Sequence, residues 1–160
     1  MELRLGHLLV RKGLLESDQV DRVLREQDRT GEPFGAMCER LFGVDPKDVE
    51  QAWADQYASL TQTILLRDEP LDAIALARLS RRQAWQFGAL PMRWDGGELM
   101  VATTPDLLVR AHRFVSRTIE SPVFFVMTSR EDLAAALQRV YPLPGGVLPS
   151  GSSGTERSAA

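Results

Sequence analysis

The chain has 160 residues, of which 44% are hydrophobic and 26% are charged, and its formal net charge at pH 7 is −3. These proportions exclude a mostly disordered, collagen-like or disulfide-built chain. The acidic balance also disfavours a DNA-binding protein, because the phosphates of a duplex demand many basic groups. No run approaches the roughly 18 apolar residues of a membrane helix, and the N-terminus has no signal-peptide pattern. Because no such run is present, we expect no direct membrane insertion. One cysteine, Cys38, cannot form an internal disulfide, which is typical of a reducing compartment, so we expect a cytoplasmic protein.

Four helices are predicted in residues 1–60, because apolar residues recur there at helical spacing. Gly13 and Gly43 are placed to end helices in the left-handed conformation. Ser17 is a candidate N-cap for the second helix. Asp45 and Pro46 predict the start of the fourth, with Asp at the N-cap and Pro at the first helical position.

The four helices form two copies of one pattern. Residues 4–27 and 33–56 align with a constant offset of 29, which places Gly6 on Gly35. Internal repetition identifies the architectural unit, here a helical hairpin of 24 residues. Further equivalent pairs are Leu5 and Phe34, Leu9 and Cys38, Val20 and Val49, Leu24 and Trp53, and Gln27 and Gln56.

Residues 61–141 are predicted to form a small α/β unit with a sheet of about three strands. Two β-rich runs around an Asp-Gly turn are a hairpin signal. The predicted fold class is therefore α+β, with a helical part followed by this unit. The elements expected, in order, are helices over 70–79 and 80–87, strands on either side of Asp95-Gly96-Gly97, a helix from Thr104 to Arg117, a strand over 122–127 and a helix capped by Ser129.

Residues 142–160 are rich in Pro, Gly, Ser and Ala. Such a segment buries too little apolar surface to offset its ordering entropy. We interpret it as a linker, a disordered terminus or an expression remnant, which places the end of the folded part at residue 141.

Signatures of catalysis are missing from the sequence. His7 and His112 lie far apart without a ligand cluster, so a metal site is not expected. Neither a phosphate-binding loop nor a dinucleotide fingerprint is present. Cys38 falls on an apolar helix face, where a buried small side chain is expected rather than a nucleophile. We expect a protein that is not an enzyme and holds no cofactor.

The repeat resembles the MshEN domain. The sequence RLGxxLVxxGxLxxxxVxxxLxxQ at 4–27, the second copy after a five-residue spacer, and the ALPM, GGEL and VATTP segments at 89–105 all match that family. MshEN domains are N-terminal modules of type II secretion and type IV pilus assembly ATPases, and they are also appended to bacterial glycosyltransferases. The resemblance implies that the ligand is the second messenger cyclic di-GMP, bound through the two motifs.

The second copy departs from the family pattern. Phe34 and Trp53 stand where Leu is usual, and Glu39 and Phe42 replace an apolar residue and a glycine. Thr104 stands where many relatives have Asp. Phe34 and Trp53 remain apolar and suit stacking on a purine, although Trp53 is large enough to crowd a site.

The resemblance also implies a set of binding residues. Arg4 can offer parallel donors to O6 and N7 of guanine, and glycines near helix starts permit close approach to a phosphate. The same residue types also serve a plain helical core with glycine caps, so both interpretations stay open. The implied ligand-binding residues are Arg4, Leu5, Gly6, His7, Val20, Leu24, Gln27, Phe34, Gly35, Ala36, Val49, Trp53 and Gln56.

Two functions are consistent with these patterns. The first is a cyclic di-GMP-binding regulatory domain that controls an attached or partner enzyme, either a secretion or pilus ATPase or a glycosyltransferase. The second is a docking module that tethers a secretion ATPase to an inner-membrane protein, at the inner face of the cytoplasmic membrane, without binding nucleotide. Arg110, Arg113 and Arg117 form a basic stripe that suits either an acidic partner or a solvated helix face.

Overall fold

The computed structural model describes residues 5–151. They form two compact units that divide between Leu60 and Thr61, the position at which the sequence patterns change. Four helices make up the first unit, and helices with a three-stranded sheet make up the second, so the α+β fold class is confirmed. Within the described residues, no helix combines the length and apolar character that crossing a bilayer requires.

The first unit consists of two helical hairpins. Helix α1 (Leu5–Arg11) and helix α2 (Ser17–Thr30) form one hairpin, and helix α3 (Phe34–Phe42) and helix α4 (Pro46–Leu60) form the other. Helix α1 packs against α4, and α2 packs against α3. This pairing is unchanged when the two hairpins are exchanged, as expected for a sequence repeat. The core consists of Leu8, Leu9, Leu15, Val23, Met37, Cys38, Val44 and Ala52.

Most helix ends follow the local signals. Gly13 and Gly43 have φ angles of 72° and 65°, in the left-handed region that favours glycine. Asp45 caps α4 through an Oδ1 that accepts a hydrogen bond from the Lys47 amide at 2.9 Å. The predicted N-cap of α2 is wrong by one residue, because Ser17 is already helical and Glu16 is the N-cap.

The described part of the second unit contains a three-stranded sheet and four helices. The elements are α5 (Ala73–Leu76), α6 (Arg81–Phe87), β1 (Leu90–Asp95), β2 (Glu98–Thr103), α7 (Leu108–Thr118), β3 (Val123–Met127) and α8 (Arg130–Val140), with a 3-10 turn at Leu66–Asp68. The strand order is β1-β2-β3. Strands β1 and β2 are an antiparallel hairpin, and β3 runs parallel to β2, with α7 forming the crossover that parallel neighbours require. A core lies between the sheet and helices α6 and α8.

The predicted helix over 70–79 is only four residues long in the structure. The amide of Asp72 donates to the carbonyl of Met92 at 2.8 Å, which holds Asp72 in an extended conformation beside β1. A helix therefore cannot begin before Ala73. The predicted helix from Thr104 also begins later, at Leu108, because a turn closed by the Leu107 amide and the Thr104 carbonyl precedes it.

The described part of the C-terminal segment packs against the second unit, contrary to the expectation that the folded part ends at residue 141. Leu148 is only 6% exposed and belongs to the core of this unit, and Leu143 packs against the same core. Arg130 donates to the Leu148 carbonyl at 3.0 Å, and Arg81 donates to the Pro142 carbonyl at 2.9 Å. Residues 142–151 are therefore part of the folded unit, and residues 152–160 lie outside the described residues.

Candidate functional site

The two motif glycines occupy equivalent places in the two hairpins. A Cβ atom on Gly6 would lie 2.9 Å from Cγ1 of Val20, and one on Gly35 would lie 2.6 Å from Cγ1 of Val49. Both contacts join the first helix of a hairpin to the second, and the two pairs are related by the repeat offset. The absence of a side chain therefore allows each pair of helices to approach closely.

The same glycines lie at the second position of α1 and α3. Amide groups in the first turn of a helix have no acceptor four residues earlier within the helix. The backbone at Gly6 and Gly35 therefore serves close packing through its missing side chain and retains the type of donor that binds anions. Packing alone accounts for the choice of glycine at both positions.

Four of the predicted apolar contacts are half-buried and pack against the core of the first unit. They are Leu5, Val20, Phe34 and Val49. Phe34 also crosses between the hairpins, since its Cζ lies 3.3 Å from the position of a Cβ on Gly6. Part of each side chain is thus committed to packing, and only the remaining surface is available to a ligand.

Leu24 differs from these four because its side chain is 44% exposed. It follows the fully buried Val23 on α2, so its exposure reflects the outer face of that helix. The equivalent residue in the second hairpin, Trp53, is half-buried, and its ring lies 5.5 Å from that of Tyr57 at an interplanar angle of 43°. The two motifs therefore present a small and a large apolar group at equivalent positions.

The remaining candidate binding residues differ in burial and in hydrogen bonding. The Gln27 Nε2 donates to the Glu32 carbonyl at 3.2 Å, which ties the end of α2 to the connection between the hairpins. Gln56 is half-buried on α4, and His7 and Ala36 are exposed. Arg4 lies outside the described residues.

An ion pair that sequence reasoning missed joins the two hairpins. The Lys12 Nζ lies 2.8 Å from the Asp55 Oδ2, which connects the end of α1 to α4. Because the partners are far apart in sequence and sit in different copies of the motif, no local pattern identifies them. Exposed pairs of this type contribute little to stability.

The electrostatics of the first unit give no activated nucleophile among the described residues. Burial raises the pKa of the Cys38 thiol to about 11, so the thiol is neutral at physiological pH. On the exposed side of α2, a hydrogen bond from Arg29 lowers the pKa of Glu26. The raised pKa of Cys38 is typical of a thiol in a structural core, and the lowered pKa of Glu26 is typical of an ion pair on a solvated helix face.

Comparison with known proteins decides the family. The sequence profile of the MshEN domain matches residues 43–147, about two thirds of the chain. The chain belongs to the MshEN domain family. The matched range covers all of α4 and most of the second unit, and it includes the β-hairpin, in which Leu90, Met92, Leu99 and Val101 are fully buried. The MshEN segments at 89–105 are thus core-forming strands.

The individual proteins that this chain resembles share between 19% and 27% sequence identity with it. The MshEN domain described here is 27% identical over 143 residues to the type IV pilus assembly ATPase PilB of Thermus thermophilus, a match that covers 88% of this chain and 15% of the ATPase. The solved structure of MshE with cdg (cyclic di-GMP) is 24% identical, with 87% of this chain and 99% of that chain covered and a TM-score of 0.48. The N-terminal domain of XpsE is 19% identical, with coverage of 87% and 98% and a TM-score of 0.46.

Proposed function

We propose that this MshEN domain binds cyclic di-GMP through its two helical hairpins. The observation that carries the proposal is the structural equivalence of the two hairpins, in which Gly6 on Val20 and Gly35 on Val49 form the same close contact. Cyclic di-GMP consists of two identical halves, each with one guanine and one phosphate. Two hairpins related by the repeat offset place the residues of each motif at corresponding positions, one set for each half of such a ligand. The identity of the ligand follows from the resemblance of the motifs to the MshEN pattern.

The described groups match the needs of a dinucleotide. The exposed side chain of Leu24 and the half-buried rings of Phe34 and Trp53 offer apolar surface to the guanine faces. First-turn amides are the type of donor that phosphates accept; Gly35 is half-buried, and Gly6 is buried. In this proposal Arg4 supplies the parallel donors that guanine O6 and N7 accept.

The proposed role is regulatory, and the domain itself performs no catalysis. The chain spans 15% of the pilus ATPase that it matches, so the enzyme it controls belongs to the remainder of a longer protein or to a partner. A secretion or pilus ATPase and a glycosyltransferase are the proposed classes. A ligand shifts such a system only if it binds two conformations with unequal affinity.

Isothermal titration calorimetry tests the binding. Cyclic di-GMP is expected to bind, whereas GTP and cyclic di-AMP serve as controls that lack the paired guanines. Leu24→Ala is expected to weaken binding without unfolding the domain, because Leu24 is 44% exposed and lies outside the buried core. Leu60→Ala is the matched control, since Leu60 is 55% exposed at the end of α4 and is not among the proposed contacts.

Arg4→Ala gives a second test of the same proposal. Loss of a bidentate guanine contact is expected to cost about 1–3 kcal/mol of binding free energy. An unchanged melting temperature of the free domain would separate this effect from a loss of fold. If the wild-type domain gives no heat of binding with cyclic di-GMP, the proposal is wrong and the docking function is favoured.

A further inference from the structure

The basic residues of the second unit are concentrated on two adjacent helices. Helices α6 and α7 pack against one another and carry five arginines but no Asp or Glu. All five side chains are exposed, in a chain whose net charge is −3. This separation of charge creates a positive surface on an otherwise acidic protein. We call it the α6–α7 surface, formed by Arg81, Arg82, Arg110, Arg113 and Arg117.

An open cleft of about 480 Å³ lies on this surface, with an aromatic pair in its wall. The rings of Phe87 and Phe114 are stacked with their centroids 3.8 Å apart and their planes 2° from parallel. Arg110 and Arg117 line the same cleft. The cleft thus combines an apolar wall with cationic side chains, which suits a partner with both apolar and acidic groups.

Arg110 is held in place by two contacts. Its Nε donates to the Gln86 carbonyl at 2.8 Å, and its guanidinium carbon lies 5.5 Å from the centroid of the Phe87 ring. The two Nη groups take no part in that hydrogen bond. A guanidinium oriented in this way loses less entropy when it binds a carboxylate through two parallel hydrogen bonds.

A second cleft, of about 600 Å³, extends the surface on the α6 side of Arg110. Arg81 and Arg82 line it, together with the buried Trp85. The carboxylate of Asp106, which lines the first cleft, is already engaged by Arg130 at 3.1 Å and by the Thr104 hydroxyl. The positive charge of the surface is therefore not neutralised by that carboxylate.

We propose that the α6–α7 surface docks an acidic segment of a partner protein, in which Asp and Glu side chains alternate with apolar ones. The carboxylates would pair with Arg110 and Arg117, and the apolar groups would cover Phe87 and Phe114. Clusters of arginine are a recurrent means of recognising acidic motifs. This inference does not depend on the proposed function, because it uses only residues of the second unit.

The observations favour this occupant over others. Pockets for small molecules enclose most of the ligand surface, whereas both clefts on this surface are open. The chain's own residues 152–160 contain one Glu and one Arg, so their side chains carry no net negative charge. Val147, at 80% exposure, is the one large apolar side chain lining the two clefts that protrudes into solvent, which is little for insertion into an anionic membrane.

Fluorescence anisotropy tests the proposal with the full chain. The probe is a fluorescein-labelled peptide of about twelve residues, two thirds Asp and Glu and one third Leu and Phe, a composition chosen to match acidic-motif recognition. A peptide with Asn and Gln in place of the acids is the neutral control. We expect the acidic peptide to bind at least about tenfold more tightly than the neutral one and to weaken as salt rises.

Charge reversal locates the site. The double variant Arg110→Glu/Arg117→Glu is expected to lose at least about tenfold in peptide affinity. Arg67→Glu is the matched control, because Arg67 is exposed on the 3-10 turn and lines neither cleft. Circular dichroism checks that each variant is folded, and Arg110→Gln/Arg117→Gln replaces the double variant if charge reversal unfolds it.

Three results would overturn the proposal. The first is peptide affinity that is equal in the wild type and the double variant. The second is no change in the anisotropy of the labelled peptide as the protein is added up to about 1 mM, which would mean a Kd weaker than about 1 mM. The third is binding to phosphatidylserine vesicles but not to the peptide, which would identify a lipid surface as the occupant.

Discussion

Gly6 and Gly35 lie where a methyl group has no room. The atoms that a Cβ would meet are the Cγ1 atoms of Val20 and Val49, which are attached directly to a β-branched carbon and cannot swing away. This is a stronger constraint than the helix propensity of glycine, which is unfavourable. The repeat therefore retains glycine at both positions in spite of its local cost.

Gly35→Ala is expected to destabilise the domain by about 1–2 kcal/mol. Alanine gains up to about 1 kcal/mol of helix propensity over glycine, but overpacking costs about 1–3 kcal/mol. The 2.6 Å approach at Gly35 is closer than the 2.9 Å approach at Gly6, so Gly6→Ala is expected to cost less. Urea unfolding followed by circular dichroism measures both.

The double variant Gly35→Ala/Val49→Ala controls for this explanation. Removing the Cγ atoms gives the new methyl group its space, so the double variant should be more stable than the sum of the two single changes predicts. Strict additivity, or a Gly35→Ala protein more stable than the wild type, would show that the close contact is not the constraint.

Burial of Cys38 makes the stability of the folded domain depend on pH. Burial raises the pKa of its thiol from an ordinary value of 9.0 to about 11 in the folded domain. The folded state therefore favours the protonated thiol. This contribution to stability is complete below pH 9, and it is lost as pH rises from about 9 through about 11.

Cys38→Ala is expected to be less stable than the wild type near neutral pH, because it leaves a small cavity, and to lose stability less steeply above pH 9. The free energy of unfolding at several pH values between 7 and 11 measures the two slopes. Equal slopes would mean that the thiol titrates alike in the folded and unfolded chain.

Individual helices show which sequence signals suffice. Asp45 with Pro46, and Ser129, cap helices as predicted, and Ser80, predicted as the first residue of a helix, is the N-cap of α6. The Asp95-Gly96-Gly97 turn joins β1 to β2 with both glycines at positive φ. The helix predicted over 70–79 fails because a long-range hydrogen bond from Asp72 to Met92 overrides local propensity. Most signals that satisfy the backbone locally are therefore predictable, with the Ser17 cap as an exception, and a helix start that depends on a distant strand is not.

The N-cap of α2 can be tested by substitution. The Glu16 amide donates to the Gln19 Oε1 at 2.8 Å, whereas Ser17 is the first helical residue. Gln19→Ala is expected to cost about 0.5–1 kcal/mol, as loss of a capping interaction does. Ser17→Ala should change the free energy of unfolding by less than about 0.5 kcal/mol. Thermal or urea unfolding measures both losses. A larger loss of stability for Ser17→Ala than for Gln19→Ala would show that Ser17 is the N-cap.

On the scale of the whole molecule, the sequence predicts the fold class, the boundary between the two units and the three-stranded sheet. It does not predict that residues 142–151 belong to the second unit, because their composition is that of a linker and their apolar residues follow no helical or strand period. Leu148 is buried by contacts with a core assembled from the preceding eighty residues. The sequence repeat predicts which residues form the candidate site. It does not predict which of their side chains are exposed to a ligand, because that depends on packing between helices.

Leu148→Ala tests the role of this segment in the full chain. Leu148 is 6% exposed, and its carbonyl accepts a hydrogen bond from Arg130. Truncating a buried Leu is expected to cost about 2–3 kcal/mol, through lost burial and the cavity that remains. Its neighbour Val147 is 80% exposed, so Val147→Ala is a matched control that should change stability by less than about 0.5 kcal/mol. Urea unfolding that gave the same midpoint for Leu148→Ala and Val147→Ala would show that the segment adds nothing to the stability of the second unit, and the folded part would then end at residue 141.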